Sequence, residues 1–233
     1  TYYGGDYDLT GFDDNTRDLP GLIRQGIATG QRIDQSNFDA ETLVQMGRSF
    51  QNANVRLLQS TNDIPINGSV GLSAGTRWNQ DWGSLGVVAV GGYDRGWTTQ
   101  RAIQQAGVVS LGGLSVTEDL RSNTTEMDVE WHGLASVALD LDAHKFQWTN
   151  FYVRNVTKEA RSVEGESSAA SNYIRDDYTA WYERELFNTQ LTGAHEFGDL
   201  EIDWRGSYAN TTREAPYETQ IRYRRLADNR FYN

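Results

Sequence analysis

The sequence predicts an all-β chain, an antiparallel meander of about seven long strands. Three observations predict it. Five stretches alternate apolar and polar residues, tight turns join the stretches in pairs, and long polar connections separate the pairs. The clearest stretch covers 127–141, with Met127, Val129, Trp131, Ala135, Val137, Leu139 and Leu141 at one parity. Asp128, Glu130, His132, Ser136 and Asp140 hold the other. Side chains alternate across a strand, so this one has an apolar face and a charged face. Long two-faced strands, joined by short turns on one side and long loops on the other, are the pattern of a large transmembrane β-barrel.

The elements follow in order. Residues 1–68 read as a loop-rich segment with one or two short helices. One covers about 40–50: Asp39 is placed as N-cap with Thr42 at the third helical position, and Phe38 and Leu43 as a hydrophobic staple. Leu43, Met46 and Phe50 mark its apolar face. A second short helix is expected after Pro20, since proline suits a first helical turn.

Antiparallel barrel hairpins then occupy 69–233. The first, 69–98, turns at 79–83, and a polar loop is expected over 99–125. The second, 126–161, turns at 142–144. Phe146 and Trp148 share one parity, but Phe151 and Val153 share the other, which predicts a β-bulge near Thr149 and Asn150. A loop is expected over 162–176. The third hairpin, 177–213, turns at 198–199, Pro216 is expected to end it, and 219–225 reads as the start of another strand. In barrels of the bacterial outer membrane, short turns are periplasmic and long loops extracellular. That places 1–68 outside the cell, Val129, Trp131 and Val137 toward lipid, and Glu130, His132 and Asp140 toward the lumen.

Composition narrows the function. The net charge of −11 argues against a nucleic-acid partner, which needs a basic footprint. The chain has no cysteine, hence neither a disulfide framework nor a thiolate metal site. Mean hydropathy of −0.64 excludes a bundle of membrane helices but not a barrel, where only alternate residues touch lipid.

Several motifs invite a chemical reading. Asp6, Asp8, Thr10 and Gly11 copy the first half of a calcium loop, but the twelfth position is Arg17 and no helices flank it. A solvated acidic loop is the expectation, with calcium at Asp6, Asp8 and Thr10 the weaker alternative. His132, His144 and His195 lie on different strands or turns without close ligand spacing, so neither a metal nor a cofactor is expected. Glu183 and Glu185 could serve glycoside hydrolysis. They are alternate residues on one strand face, and a salt-bridged wall is the expectation, so the chain is not expected to be an enzyme.

The run 181–197, beginning Trp181-Tyr182-Glu183-Arg184 and ending His195-Glu196-Phe197, resembles a barrel hairpin of TonB-dependent outer-membrane receptors, especially those of alphaproteobacterial type. The next stretch, 200–216, is similar to that family's following strand. The run 11–20, the helix after Phe38 and the 69–97 hairpin resemble it in order and spacing. The resemblance implies a 22-stranded barrel with an N-terminal plug and a short box that engages an energising periplasmic protein. This chain would be an interior part of such a barrel.

By that resemblance the function is uptake of a scarce nutrient, a siderophore, cofactor or oligosaccharide, by an energised receptor. The expected partners are outer-membrane lipid, the remaining barrel and plug, the TonB system through the rest of the parent chain, and a small-molecule or glycan substrate. The expected substrate contacts are Arg77, Asp94, Glu130 and His132 in the wall, and Phe12, Asp13, Asp14 and Arg17 in the first loop. The alternatives are a soluble carbohydrate-binding β-sandwich and a small passive outer-membrane barrel.

Overall fold

A computed structural model describes residues 1–50, 52–168, 170, 172–226 and 230–232. Its centre is one antiparallel sheet in which each strand pairs with its sequence neighbours. The strands are β1 (Gly68–Gln80), β2 (Gly83–Ser110), β3 (Gly113–Leu141), β4 (His144–Ser167), β5 (Asn172–Phe197), β6 (Leu200–Arg225) and β7 (Phe231–Tyr232). The all-β meander is therefore the fold. From β2 to β6 the strands hold 24 to 29 residues, roughly 80–95 Å at ~3.3 Å per residue.

That length corrects the two expected loops. Residues 99–125 continue β2 and β3 as one hairpin, turning at Leu111 and Gly112, with a register shift at Ala106 and Gly107. Residues 162–167 and 172–176 likewise extend β4 and β5. Most of these side chains are polar on both faces, so no alternation betrayed a strand. Paired backbone and β-branched residues such as Ile103, Val108, Val116 and Thr124 hold the extension instead.

Pro216 does not end β6 either. Trp181 pairs with Tyr217 and Glu183 with Glu214, so Tyr182 faces both Ala215 and Pro216. Proline lacks an N–H to donate, and a bulge on a strand near the sheet edge is where that loss is tolerated. The stretch 219–225 is the continuation of β6, paired to β5 from Thr219 to Arg224.

The bulge expected at Thr149 and Asn150 is absent, and β4 holds unbroken register to both neighbours there. Phe151 and Val153 stay on the polar face. Cross-strand pairing sets Phe151 beside Leu134 and Val153 beside Leu186, with Val90 next to Leu134. An apolar island within that face explains the parity change without an extra residue.

The first segment packs against the sheet through its first loop, at Tyr2, Asp8 and Gly11, and through Val55. Helix α1 (Gly21–Ala28) follows Pro20 as expected, and α2 (Ala40–Ser49) starts where Asp39 accepts a hydrogen bond from the Thr42 N–H at 2.8 Å. A short helix α3 (Ala53–Arg56) and a 3-10 turn at Asp8–Thr10 were not foreseen. The segment covers one end of the apolar face, where Met127, Val129, Val156 and Trp181 are fully buried. Tyr2, Val55 and Ala160 form a second buried cluster beside it. Val129, expected to face lipid, therefore lies under the chain's own first loop.

Candidate functional site

The uncovered part of the sheet has two faces of different character. Along β3, from Leu141 to Gly133, the odd residues and most of their cross-strand neighbours form a largely apolar belt, interrupted by Asn150 and Thr189, and the next row already sets Trp131 beside Arg154 and Glu185. Its rows include Leu85, Leu139, Phe146 and Trp204, then Val87, Val137, Trp148 and Leu191. Trp78, Trp148, Leu191 and Tyr208 are exposed. The belt is eight residue steps long on β3, about 26 Å along the strand.

Aromatic residues close both ends. Tyr93 packs on Trp131 at the loop end, with ring centroids 4.7 Å apart. At the turn end, His144 and His195 face each other in register among Phe146, Phe197 and Trp204. The Trp204 indole N–H donates to His195 Nε2 at 2.8 Å. That bond makes Nδ1 the protonated nitrogen of a neutral His195, so it donates to His144 Nδ1 at 3.2 Å. Two histidines that looked unrelated in sequence are thus one hydrogen-bonded pair.

The opposite face carries the wall residues. Asp94 and Glu130 are directly paired across β2 and β3, and His132 lies two residues along on the same face. His132 Nδ1 is 3.4 Å from Glu130 Oε1 and 3.7 Å from Asp94 Oδ2. Gly92 stands opposite His132, and a Cβ there would collide with the imidazole, so glycine makes room for the ring to lie across β2. The apolar island of Val90, Leu134, Phe151, Val153 and Leu186 adjoins the cluster. Arg77 lies apart, near the turn end, donating to Ser84 Oγ at 2.7 Å.

The first-loop residues are placed otherwise. Arg17, expected to be open to substrate, is only 2% exposed. It donates to Asp8 Oδ2 at 2.7 Å and to Asp13 Oδ1 at 2.6 Å, and stacks 3.9 Å above the Trp181 ring. Lys158 reaches the same Asp8 oxygen at 2.6 Å. Burial lowers the Lys158 pKa, with Asp8 opposing the fall. Burial raises that of the Tyr2 phenol, whose oxygen donates to the Ala180 carbonyl at 2.8 Å.

Asp8 therefore serves two buried cations, which is the reverse of a calcium ligand. Asp14 accepts from the Thr16 hydroxyl and from the Asp6 N–H, and these bonds lower its pKa. Phe12 lies 4.7 Å over the Arg154 guanidinium. Arg154 donates to the Gly11 carbonyl at 3.1 Å, to Glu183 at 2.8 Å and to Glu185. The paired glutamates thus bracket a cation, as a salt-bridged wall requires. No polar pattern in the sequence distinguished these docking contacts from substrate contacts, because their partners on β4 and β5 are far away in the chain.

No protein-family model matches this chain, and no curated protein matches it in sequence.

Proposed function

We propose that the chain forms adjoining staves of a large outer-membrane β-barrel, part of a receptor of the TonB-dependent type that takes up a scarce nutrient. The observation that carries this reading is the belt: a largely apolar face about 26 Å long along the strands, with Trp78, Trp148, Leu191 and Tyr208 exposed, which at the ~40° strand tilt of such barrels would fill most of their ~25 Å lipid-facing band. Aromatic residues bound it at both ends, where membrane interfaces favour them. A soluble β-sandwich would lay a second sheet over this face, and among the described residues there is a single sheet. A small closed barrel would pair β1 with the last strands, and no such pair occurs among the described residues.

In this reading the polar face lines the lumen. Arg77, Asp94, Glu130 and His132 present charge to the nutrient, and the apolar island gives it a surface to lie on. The docked first segment stands beyond the belt on the extracellular side. The chain is a conduit and a binding wall rather than a catalyst, and the energising protein engages another part of the receptor. The test is membrane partition. The parent receptor, or this chain expressed for export, should fractionate with the outer membrane and resist alkaline extraction. A chain that stays monomeric in water without detergent would contradict the reading.

A further inference from the structure

We propose that Asp94, Glu130 and His132 form a binding site for a divalent first-row transition-metal ion, with zinc as the test ion. Among the described residues this is the one group of three such donors whose ligand atoms all lie within 4.8 Å of one another. The separations fit coordination. Two ligands bound to zinc at ~2.0–2.1 Å in tetrahedral geometry stand about 3.3–3.4 Å apart. His132 Nδ1 and Glu130 Oε1 are 3.4 Å apart, and the Asp94 oxygen is 3.7 Å from the same nitrogen.

The three groups are also free to bind. Among the described residues, neither carboxylate pairs with a lysine or arginine, and their one charged neighbour in reach is the His132 imidazole itself when protonated. The nearest guanidinium in the same cross-strand row is that of Arg184, two strands away and turned to Asn155 at 3.4 Å. Two carboxylates and a neutral imidazole then balance the charge of a divalent ion.

The donor set selects the class of ion. An imidazole with carboxylates suits zinc, manganese, iron(II) or copper(II), whereas calcium and magnesium take oxygen ligands. The support is rigid: both carboxylates and the imidazole stand on paired strands in fixed register, and Gly92 gives the ring its place. Three protein donors leave at least one coordination position open, so the ion arrives and stays with water or a chelating ligand attached. The island of Leu134, Phe151 and Val153 beside it suits the apolar part of such a ligand.

Metal binding is separable from membrane location, because it is read on the folded chain whether or not the barrel reading holds. Zinc is titrated calorimetrically into the chain in detergent after chelator treatment. The expected result is one zinc per chain, with affinity falling at least about tenfold in each of His132→Ala, Glu130→Gln and Asp94→Asn. X-ray absorption should show an imidazole in the zinc shell of the parent and none in His132→Ala. His132→Gln serves if the alanine variant fails to fold, with circular dichroism as the check, and it too should weaken binding. Unchanged affinity in a folded His132 variant overturns the proposal. So does the absence of saturable zinc binding, or loss of it on replacing His144 and His195 instead.

Discussion

Lys158 Nζ and Asp8 Oδ2 meet at 2.6 Å across 150 positions of chain, and this contact locks the first segment onto the sheet. Arg17 shares the same carboxylate oxygen, and Trp181 lies beneath its guanidinium. Among the described residues Asp8 is thus the one carboxylate paired with Lys158, whereas Arg17 also has Asp13. Removing one member of a buried ionic group costs about 3–5 kcal/mol, because the remaining charge is left without compensation. Asp8→Ala should therefore release residues 1–58 from the sheet without unfolding the hairpins. Hydrogen exchange should show lost protection around Tyr2 and Val55, with β2 and β3 unchanged. Unaltered protection in the first segment would remove Asp8 from its anchoring role.

Helix α2 depends on acid in a defined direction. The Thr42 hydroxyl first, then the Thr42 N–H, hold the Asp39 carboxylate and lower its pKa below 3.8. A depressed carboxylate stabilises the fold above its unfolded pKa, and that contribution disappears as pH falls through the folded value. Protection of the Thr42 amide should decline as the pH drops below 3.8. Asp39→Asn, which keeps an accepting oxygen but does not titrate, should lose this dependence. An identical acid profile in the two proteins would mean that another group governs it.

Val137 stands near the middle of the apolar belt, between Val87 and Trp148. An arginine at the midplane of the lipid face of a barrel costs roughly 2–4 kcal/mol, falling to about 0–1 near the interfaces. Val137→Arg should therefore impair assembly, seen as loss of the heat-resistant, fast-migrating form on gels. Ala138→Arg, its neighbour on the polar face, should not. Equal effects at the two positions would reject the facing assigned to β3.

The sequence showed structure wherever the two faces of a strand meet different surroundings. From Met127 to Leu141 one side is apolar and the other polar, so alternation was visible and the pairing followed. From Thr98 to Thr125 both sides are largely polar, and the same ladder left no periodic mark. Pro216 read as a stop because a lost N–H is costly inside a sheet, but a bulge against Tyr182 accommodates it. Phe151 and Val153 read as a bulge because their apolar neighbours come from other strands.

The site divides the same way. Glu130 and His132 were legible as neighbours on one strand face. Their meeting with Asp94 depends on the register of β2 against β3, which local sequence does not specify. Arg17 and Asp13 resembled substrate contacts in an acidic loop, but Asp8 and Trp181 claim the guanidinium. The pairing of His144 with His195 also rests on register, that of β4 against β5.

The central claim is that one face of the sheet meets lipid and the other meets water. The chain has no cysteine, so single cysteines can be introduced without background. The most direct measurement is labelling with a membrane-impermeant maleimide at Val137 and Leu191 on the belt, and at Ala138 and Gln147 on the polar face. In outer membranes permeabilised to the reagent, the first pair should remain unlabelled and the second pair should react. All four should react after denaturation. Reaction of Val137 and Leu191 as readily as Ala138 and Gln147 in the intact membrane would contradict the account.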